Sequence, residues 1–346
     1  MNAAPSSRLR IAVLLGGTSP ERDVSIASGL RVMLALREFG HAVTPVDPAR
    51  GVMTEREIHT LLTAGVQREP PTKALLECLR GGALGPLLGT LPEVRDCDVV
   101  FNALHGGEGE NGTMQALLDS LGVVYTGSGA LGSALAMDKD LSKVLFRAAG
   151  VGTPDWMMAP ADPAKVVSTL GLPVIVKPSK QGSTVGLTLV KEARAIDAAV
   201  ALAFEHDDEV MLEEFIPGRE LTVGVLGDDA LPVGEIFPVN ELYDYEAKYT
   251  PGMAREVFPA ELTGAATTAI QARARAAFRA LKLRGYARID FRMAADGTFL
   301  CLEANTNPGL TNLSLLPQAA AAAGISFPDL CDRIVRLAMR ATEEHR

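Results

Sequence analysis

The sequence of 346 residues contains no apolar run long enough to span a membrane. The apolar run nearest the amino terminus covers residues 11–15 and stops at Gly16 and Gly17, so it is too short for the core of a signal peptide. Both absences predict a protein that has no membrane partner, and the scattered cysteines described next fit a reducing cytoplasm.

Cysteine and positive charge are also scarce. Cys78, Cys97, Cys301 and Cys331 form no CxxC pair and have no histidine at metal-ligand spacing, which argues against a zinc site or a disulfide framework. A formal net charge of -9 argues against a nucleic-acid partner, because such partners favour basic surfaces. The hydrophobic content of 47% is ample for a buried core, and the length predicts about two or three domains.

The loop after the first predicted strand lacks two common enzyme signatures. The GxGxxG fingerprint of nicotinamide-binding proteins does not follow the first predicted strand, and Asp47 is only a weak candidate for the acidic residue that accompanies it. The GxSxG turn of charge-relay hydrolases is absent as well. Both classes are therefore disfavoured.

Two βαβ units open the chain and predict a parallel sheet. Their strands and helices fall at residues 11–15, 24–39 and 42–46, and at 98–101, 113–121 and 123–125. Between these units, residues 65–92 are rich in proline and glycine and predict an irregular connection with a short helix at 74–79.

The pattern changes from about residue 138. A helix to residue 149 precedes closely spaced strands, which predict a mostly antiparallel sheet. These strands fall at residues 174–177, 187–190, 210–215, 221–225 and 233–237. Residues 240–255 are polar and tyrosine-rich, which is typical of a lid over a site. A helix around 270–281, a hairpin of 287–293 with 298–302, and a helix at 328–339 complete the chain.

The hairpin carries the sharpest chemical signal. Arg288 and Asp290 share the parity of one strand, and Glu303 and Asn305 share that of the next, so two carboxylates and an amide are expected on one face. Such oxygen ligands suit Mg²⁺ bound as a nucleotide complex. The alternative is the ordinary solvated face of an amphipathic hairpin.

Three loops could meet anions or substrate. Lys177 ends a strand before a small, hydroxyl-rich loop at 179–186, a composition that favours phosphate, although a hairpin tip with a solvated lysine is equally compatible. His105 opens a glycine turn after a strand, where it could contact a carboxylate or simply support the turn. Glu21 could pair with an ammonium group or with a helix dipole.

Eight motifs, taken in order, resemble those of the D-alanine–D-alanine ligases and span about residues 10–340. They are GGTSPERDVS at 16–25, HGGEGENG at 105–112, YTGS at 125–128, MDK at 137–139, KPSKQGSTVG at 177–186, YDYEAKY at 243–249, GYARID at 285–290 and EANTNPG at 303–309. Two departures are Glu214, where many relatives have lysine, and the alanine-rich residues 319–323.

The resemblance implies a mixed α/β (α+β) structure, the ATP-grasp fold, in three domains. These are residues 1–136, a substrate-side domain with a parallel sheet, residues 137–225, a central subdomain, and residues 226–346, a carboxy-terminal subdomain with the metal site and the lid. ATP would lie between the last two. The implied reaction joins two D-alanines to D-alanyl-D-alanine for peptidoglycan through an acyl phosphate. The implied cofactors are ATP and two Mg²⁺ or Mn²⁺ ions, and the implied assembly is a homodimer.

The resemblance also assigns roles to residues. For the nucleotide these are Lys139, Lys177 and Lys248 at the phosphates, Glu213, Glu214, Phe215 and Ile216 at the adenine, and Glu220 at the ribose. Asp290, Glu303 and Asn305 would be the metal ligands. For the amino acids they are Glu21 and His105 at the first D-alanine, Ser183 and Tyr249 bonded to Glu21, Arg288 and the Gly309 N–H at the oxyanion, and Ser314 and Leu315 at the second carboxylate.

Two alternatives stay open. One is a ligase of this type that accepts D-lactate or D-serine as its second substrate. The other is a nucleotide-binding module without turnover, which the intact set of Lys177, Arg288, Asp290, Glu303 and Asn305 disfavours.

Overall fold

The structure is a computed structural model that describes residues 8–64, 71–182, 185–239 and 252–343. The chain divides into two compact units, which we call the terminal and the central unit. The terminal unit comprises Met1–Ala130, Arg284–Tyr286 and Thr306–Arg346, and the central unit comprises Leu131–Leu283 and Ala287–Asn305. The division into three domains stays a prediction.

The strands of the described residues form three sheets. They are Arg10–Leu14 (β1), Ala42–Asp47 (β2), Gly51–Val52 (β3), Val99–Asn102 (β4), Trp156–Met158 (β5), Val174–Pro178 (β6), Thr188–Val190 (β7), Val210–Glu214 (β8), Arg219–Leu226 (β9), Asp229–Ala230 (β10), Gly234–Pro238 (β11), Ala254–Val257 (β12), Tyr286–Met293 (β13) and Phe299–Asn305 (β14).

The α-helices of the described residues surround these sheets. They are Arg22–Glu38 (α1), Glu55–Ala64 (α2), Lys73–Gly82 (α3), Pro92–Arg95 (α4), Thr113–Ser120 (α5), Ala130–Met137 (α6), Lys139–Ala148 (α7), Pro163–Leu170 (α8), Ile196–Phe204 (α9), Gly264–Ala280 (α10), Leu315–Ala322 (α11) and Phe327–Glu343 (α12). None of them combines the length and the apolarity that a membrane crossing requires.

The terminal unit is built on the predicted parallel sheet. Its strand order is β3-β2-β1-β4, in which β1 runs parallel to both β2 and β4. After Arg10, β1 is apolar because both faces of the sheet are covered, and its residues from Ile11 to Leu14 are buried. The carboxyl ends of β1 and β4 therefore meet at one edge, where polar loops follow each strand.

The central unit contains the other two sheets, which are mostly antiparallel. One has the order β5-β8-β6-β7, and the other has the order β12-β11-β9-β13-β14 with β10 paired to β9. In the larger sheet, alternate residues of β13 such as Ala287, Ile289 and Phe291 join the apolar core with α10. The predicted antiparallel arrangement is confirmed, and the residues between the buried ones are left on the opposite face.

One prediction about local structure was wrong. Residues 123–125 form no strand, because Tyr125 makes only an isolated parallel bridge to Val100. The short helix predicted at residues 74–79 is confirmed as α3, which is slightly longer, and its Leu76 and Leu79 pack with Ala49. Most of the predicted lid, residues 240–251, lies outside the described residues, and β12 occupies its end.

Candidate active site

The hairpin of β13 and β14 carries four polar side chains on one face of the larger sheet. The strand register places Arg288 opposite Asn305 and Asp290 opposite Glu303. All four residues are partly exposed, whereas Ile289 between them is fully buried. The structure therefore brings together the carboxylates and the amide that the sequence pattern placed on one face.

A β-bulge makes this arrangement possible. The pairing shifts by one residue after Asp290, so that Leu302 is the extra residue of β14. Cys301 and Ala304 both lie in the core, although residues three apart on a regular strand face opposite sides. The bulge thus directs Glu303 to the face that carries Asp290, which is a common function of bulges beside active sites.

Asp290 accepts hydrogen bonds through both carboxylate oxygens. Its Oδ1 accepts from the Thr222 hydroxyl at 2.7 Å and from Arg288 Nε at 2.9 Å. Its Oδ2 accepts from Arg288 Nη2 at 2.8 Å and from Asn305 Nδ2 at 3.0 Å. The Arg288 and Asp290 side chains are each 13% exposed, so their ion pair is largely shielded from solvent.

Lys139 brings a cation to the same hairpin. Its Nζ lies 3.4 Å from Oε2 of Glu303 and donates to the backbone carbonyl of Gln181 at 2.7 Å. Asp138 caps helix α7 by accepting a hydrogen bond from the Leu141 N–H at 3.0 Å, which fixes the first turn of that helix. Lys139 thus connects the carboxylates to the loop after β6.

A second group of charges lies between α7 and the smaller sheet. Glu213 on β8 accepts from Lys177 Nζ at 2.6 Å and from Lys143 Nζ at 2.5 Å, and Lys143 also donates to the Thr153 hydroxyl at 2.8 Å. Burial raises the pKa of Glu213, but the two lysines outweigh burial and hold that pKa below its usual value. Burial lowers the pKa of Lys143.

Arg292 joins the predicted adenine segment to the predicted ribose residue. Its Nε donates to the Ile216 carbonyl at 3.0 Å, and its Nη1 lies 3.2 Å from Oε2 of Glu220. The guanidinium also lies 5.5 Å from the centre of the Phe215 ring. The neighbouring Glu214 accepts from the Asp155 N–H at 3.3 Å. The structure therefore holds residues 214–220 in place through strand β13.

In the terminal unit, the loops after β1 and β4 line a cavity of about 280 Å³. The Ser19 hydroxyl donates to the His105 carbonyl at 2.5 Å, which joins the two loops. Gly106 has a φ of +66°, and a Cβ at this position would lie 2.7 Å from Oε2 of Glu21. The structure thus places Glu21 and the His105 loop together at the edge where the strands end.

A buried ion pair supports the first of these loops. Arg22 Nη2 lies 2.5 Å from Oδ2 of Asp47, and the two side chains are 7% and 2% exposed. Oδ1 of Asp47 also accepts from the N–H groups of Gly17 and Ala49 at 3.0 and 2.9 Å. Asp47 therefore holds the glycine loop, which is a structural function and not the ribose contact of a nicotinamide site.

The segment before helix α11 is held by hydrogen bonds between its own residues. Ser314 Oγ accepts from the Thr311 N–H at 3.0 Å and lies 2.9 Å from the Thr311 hydroxyl. A Cβ at Gly309 would lie 2.7 Å from the same oxygen, so a larger residue at this position would displace the Ser314 hydroxyl. Ser314 is also the N-cap residue of α11, whose first residue is Leu315, and a helix amino terminus favours a carboxylate.

Helix α1 connects this segment to His105. The Leu310 N–H donates to Ser28 Oγ at 3.2 Å, and the same oxygen lies 3.0 Å from His105 Nε2. Arg31, one turn further along the helix, donates to the carbonyls of Leu310 and Thr311 at 2.8 Å. Two predicted substrate regions are therefore joined by side chains of one helix.

Several residues that make these contacts were not predicted from the sequence. The residues concerned are Ser28, Arg31, Lys143, Thr153, Thr222 and Arg292. The spacing of Lys143 four residues after Lys139 was a usable signal, because such residues share a helix face. The others are common residue types on ordinary elements, and their partners are distant in sequence. Ser183, Lys248 and Tyr249 lie outside the described residues, so their roles stay predictions.

Two family models match successive parts of the chain. The family model described as "D-ala D-ala ligase N-terminus" matches residues 10–128, and that described as "D-ala D-ala ligase C-terminus" matches residues 140–336. The D-alanine–D-alanine ligase of Dechloromonas aromatica (strain RCB) is 42% identical over 335 residues, which cover 96% of this chain and 99% of that protein. The corresponding ligase of Geobacter sulfurreducens is 41% identical over 331 residues, with 94% and 93% covered.

Solved structures agree with these matches. The D-alanine–D-alanine ligase of Bacillus anthracis, complexed with ATP, has a TM-score of 0.77 at 31% identity and covers 99% of this chain and 100% of that one. The VanG D-Ala:D-Ser ligase of Enterococcus faecalis has a TM-score of 0.78 at 29% identity, with 96% and 100% covered.

Fold and site together define an ATP-dependent ligase with the ATP-grasp fold, as the sequence motifs predicted. The chain belongs to the D-alanine–D-alanine ligase family. Its reaction is the ATP-dependent joining of two D-alanines to D-alanyl-D-alanine, which serves the synthesis of peptidoglycan.

Proposed function

We propose that the central unit binds ATP and Mg²⁺ and that the terminal unit supplies the groups that bind the two D-alanines. The observation that carries this proposal is the hairpin face on which Asp290, Glu303 and Asn305 lie together. We further propose that the enzyme works as a homodimer in the cytoplasm. Both of these last points rest on the resemblance to the family.

The donors on the hairpin fit magnesium. Among the described residues, no three His, Cys, Asp or Glu side chains are placed to hold a metal ion by themselves. Two carboxylates and one amide oxygen, however, are the small oxygen set that Mg²⁺ uses when phosphate oxygens and water complete its octahedron. Asp290, Glu303 and Asn305 would hold the ion, or Mn²⁺ in its place, and Arg288 would have to leave Asp290 when it binds.

The bound ion would supply positive charge to the phosphates. The chain's own cations add to it, because Lys139 and Lys177 would contact phosphate oxygens and stabilise the charge that develops during transfer. Glu213, Glu214, Phe215 and Ile216 would border the adenine, mainly through their backbone, and Glu220 would accept from the ribose hydroxyls. Lys248 of the predicted lid would reach the transferred phosphate.

The reaction has two steps. A carboxylate oxygen of the first D-alanine attacks the γ-phosphorus, the bond to ADP breaks, and an acyl phosphate forms. The amine nitrogen of the second D-alanine then attacks the acyl carbon, loses a proton, and displaces inorganic phosphate. Arg288 and the Gly309 N–H are the proposed donors to the oxyanion of the second step, and one such donor contributes about 3 kcal/mol.

The remaining assignments concern the amino acids. Glu21 would pair with the ammonium of the first D-alanine, and His105 would lie beside its carboxylate. Ser183 and Tyr249 would bond to Glu21 and close the lid. Ser314 and the Leu315 N–H at the start of α11 would bind the second carboxylate.

Release of phosphate from ATP tests this function. With purified protein and Mg²⁺, D-alanine should produce phosphate and D-alanyl-D-alanine in equal amounts, and neither L-alanine nor the omission of amino acid should do so. Phosphate release that is the same with L-alanine would contradict the assigned substrate. No release of phosphate from ATP with D-alanine present would instead support a nucleotide-binding module without turnover.

A second candidate is a ligase that uses D-serine as its second substrate. The structural match to VanG, a D-Ala:D-Ser ligase, is the observation in its favour. Product analysis with D-alanine mixed with D-serine or D-lactate separates the two functions. We expect D-alanyl-D-alanine to remain the main product, because YDYEAKY at residues 243–249 resembles the dipeptide-forming type.

A further inference from the structure

Lys143 is a buried cation that none of the roles above uses. Its side chain is 0% exposed, and its Nζ contacts Oε1 of Glu213 at 2.5 Å. The other oxygen of the same carboxylate contacts Lys177 Nζ at 2.6 Å. Thr153 accepts the second hydrogen bond of Lys143 at 2.8 Å and donates to the Cys301 carbonyl of β14 at 2.7 Å.

The charges of Lys143, Glu213 and Lys177 do not cancel. Glu213 carries one negative charge, because the two lysines hold its pKa below the usual value despite burial. Lys177 and Glu213 alone would form a neutral pair, and a neutral pair attracts a phosphate only weakly. With Lys143 present, the net charge of the three groups is +1, and the charge lies in a poorly solvated region where it acts over a longer distance.

The two lysines also differ in access. The Lys143 side chain is fully buried, whereas the Lys177 side chain is 10% exposed and ends the strand before the glycine loop. A ligand can therefore approach Lys177 but not Lys143. Glu213 joins them and holds Lys177 in one position.

We propose that Lys143 is a positioning residue that neutralises Glu213 from the buried side, so that Lys177 keeps its positive charge available for a nucleotide phosphate. This inference rests on the proposed phosphate contact of Lys177. It assigns Lys143 an effect on nucleotide affinity without contact to the nucleotide.

Trp156 gives a direct readout. It is the single tryptophan of the sequence. Its ring centre lies 5.2 Å from Lys143 Nζ, and it pairs with Glu213 in the register of β5 and β8. ADP with Mg²⁺ should be titrated into the full-length protein while the fluorescence of Trp156 is followed. Lys143→Met should raise the Kd for ADP about tenfold, which corresponds to about 1.4 kcal/mol, and should leave the KM for D-alanine unchanged.

Charge restoration distinguishes this function from a purely structural one. The double variant Lys143→Met with Glu213→Gln again has a net charge of +1, so its Kd should return to within about threefold of wild type. Thr153→Val is the matched control, since it removes a hydrogen bond of Lys143 but no charge, and its Kd should stay near wild type. A double variant that binds ADP no better than Lys143→Met, or a folded Lys143→Met protein with wild-type affinity, would overturn the proposal.

Two further variants keep the test decisive. If Lys143→Met does not fold, Lys143→Gln removes the charge but keeps a hydrogen-bond donor beside Glu213, so its Kd for ADP should also rise about tenfold, and wild-type affinity would overturn the proposal. Lys177→Ala tests the proposed phosphate contact of Lys177, on which this inference rests. If Lys177→Ala leaves the Kd for ADP unchanged, the phosphate role of Lys177 is wrong, whatever Lys143 does.

Discussion

The two units hold their functional groups by different means. In the central unit, the charged side chains stand on strands and on one helix, and they pair with each other, as Asp290 does with Arg288 and Glu213 with Lys177. In the terminal unit, the groups proposed to bind the first D-alanine lie in loops after parallel strands. There they are held by hydroxyl and backbone groups, as Ser28 and Ser19 hold the His105 loop.

The difference matches the proposed ligands. A nucleotide carries several negative charges, which buried lysines and metal-binding carboxylates can balance. An amino acid has one positive and one negative group and needs separated, directed contacts. Loops at the end of a parallel sheet provide such contacts because several chain segments meet there.

The largest effect should follow a change on the hairpin. Glu303→Gln removes one proposed metal ligand and the partner of Lys139, so kcat should fall about 1000-fold, or about 4 kcal/mol, while the protein stays folded. The measurement is phosphate release at saturating ATP and D-alanine over a range of Mg²⁺ concentrations. The matched control is Glu192→Gln, because the Glu192 side chain is 61% exposed and pairs only at the surface with Arg194.

Wild-type turnover by the Glu303→Gln protein would remove the metal assignment. It would also contradict the comparison between the two units, because the paired charges of the central unit would then contribute to stability and not to catalysis. Equal losses in the two variants would indicate a general effect of charge.

The next effect concerns the one buried ion pair described above for the terminal unit. Asp47→Asn leaves the Arg22 guanidinium buried without its charged partner, so the free energy of unfolding should fall by about 3 kcal/mol. Chemical denaturation followed by circular dichroism measures this change. Asp96→Asn is the control, because its partner Arg95 is exposed and the midpoint of unfolding should not move.

If Asp47→Asn lowered kcat but not stability, this pair would be part of the chemistry, and the two units would resemble each other more than we infer. The expected result keeps the pair in a structural role, as the support of the glycine loop at Gly17.

Strand periodicity predicted the hairpin face well because a strand leaves few choices. Once Asp290 and Glu303 lie on adjacent strands, only the register remains to be known, and the flanking apolar residues limit it. The bulge at Leu302 could not be predicted, since it depends on which residues of β14 fit the core against α10 and β13. The relation of Asp290 to Glu303 was predicted correctly, although the prediction did not include the bulge on which it depends.

Loop contacts were far less predictable. Ser28 lies 282 residues from Leu310 in sequence, and nothing in its local pattern distinguishes it from any serine on a buried helix face. For Lys143, the spacing from Lys139 indicates a shared helix face, but a lysine on an amphipathic helix normally reaches solvent, and only the packing of α7 against β8 makes it a buried partner of Glu213. Tertiary packing, and not local propensity, decides such cases.

The smallest expected effect tests the hydroxyl-based arrangement of the terminal unit. Ser28→Ala removes the acceptor of the Leu310 N–H and the partner of His105 Nε2, so kcat/KM for D-alanine should fall about tenfold, while the Kd for ADP stays unchanged.

Ser133→Ala is the matched control for that variant. Ser133 is equally buried, and its Oγ has no hydrogen-bond partner among the described residues, so loss of this hydroxyl should leave both constants at their wild-type values. A Ser28→Ala enzyme that is indistinguishable from Ser133→Ala would show that His105 and the segment at Leu310 keep their positions independently. In that case the terminal unit would depend on loop conformation alone, because the hydroxyl that joins its two substrate regions would contribute nothing measurable.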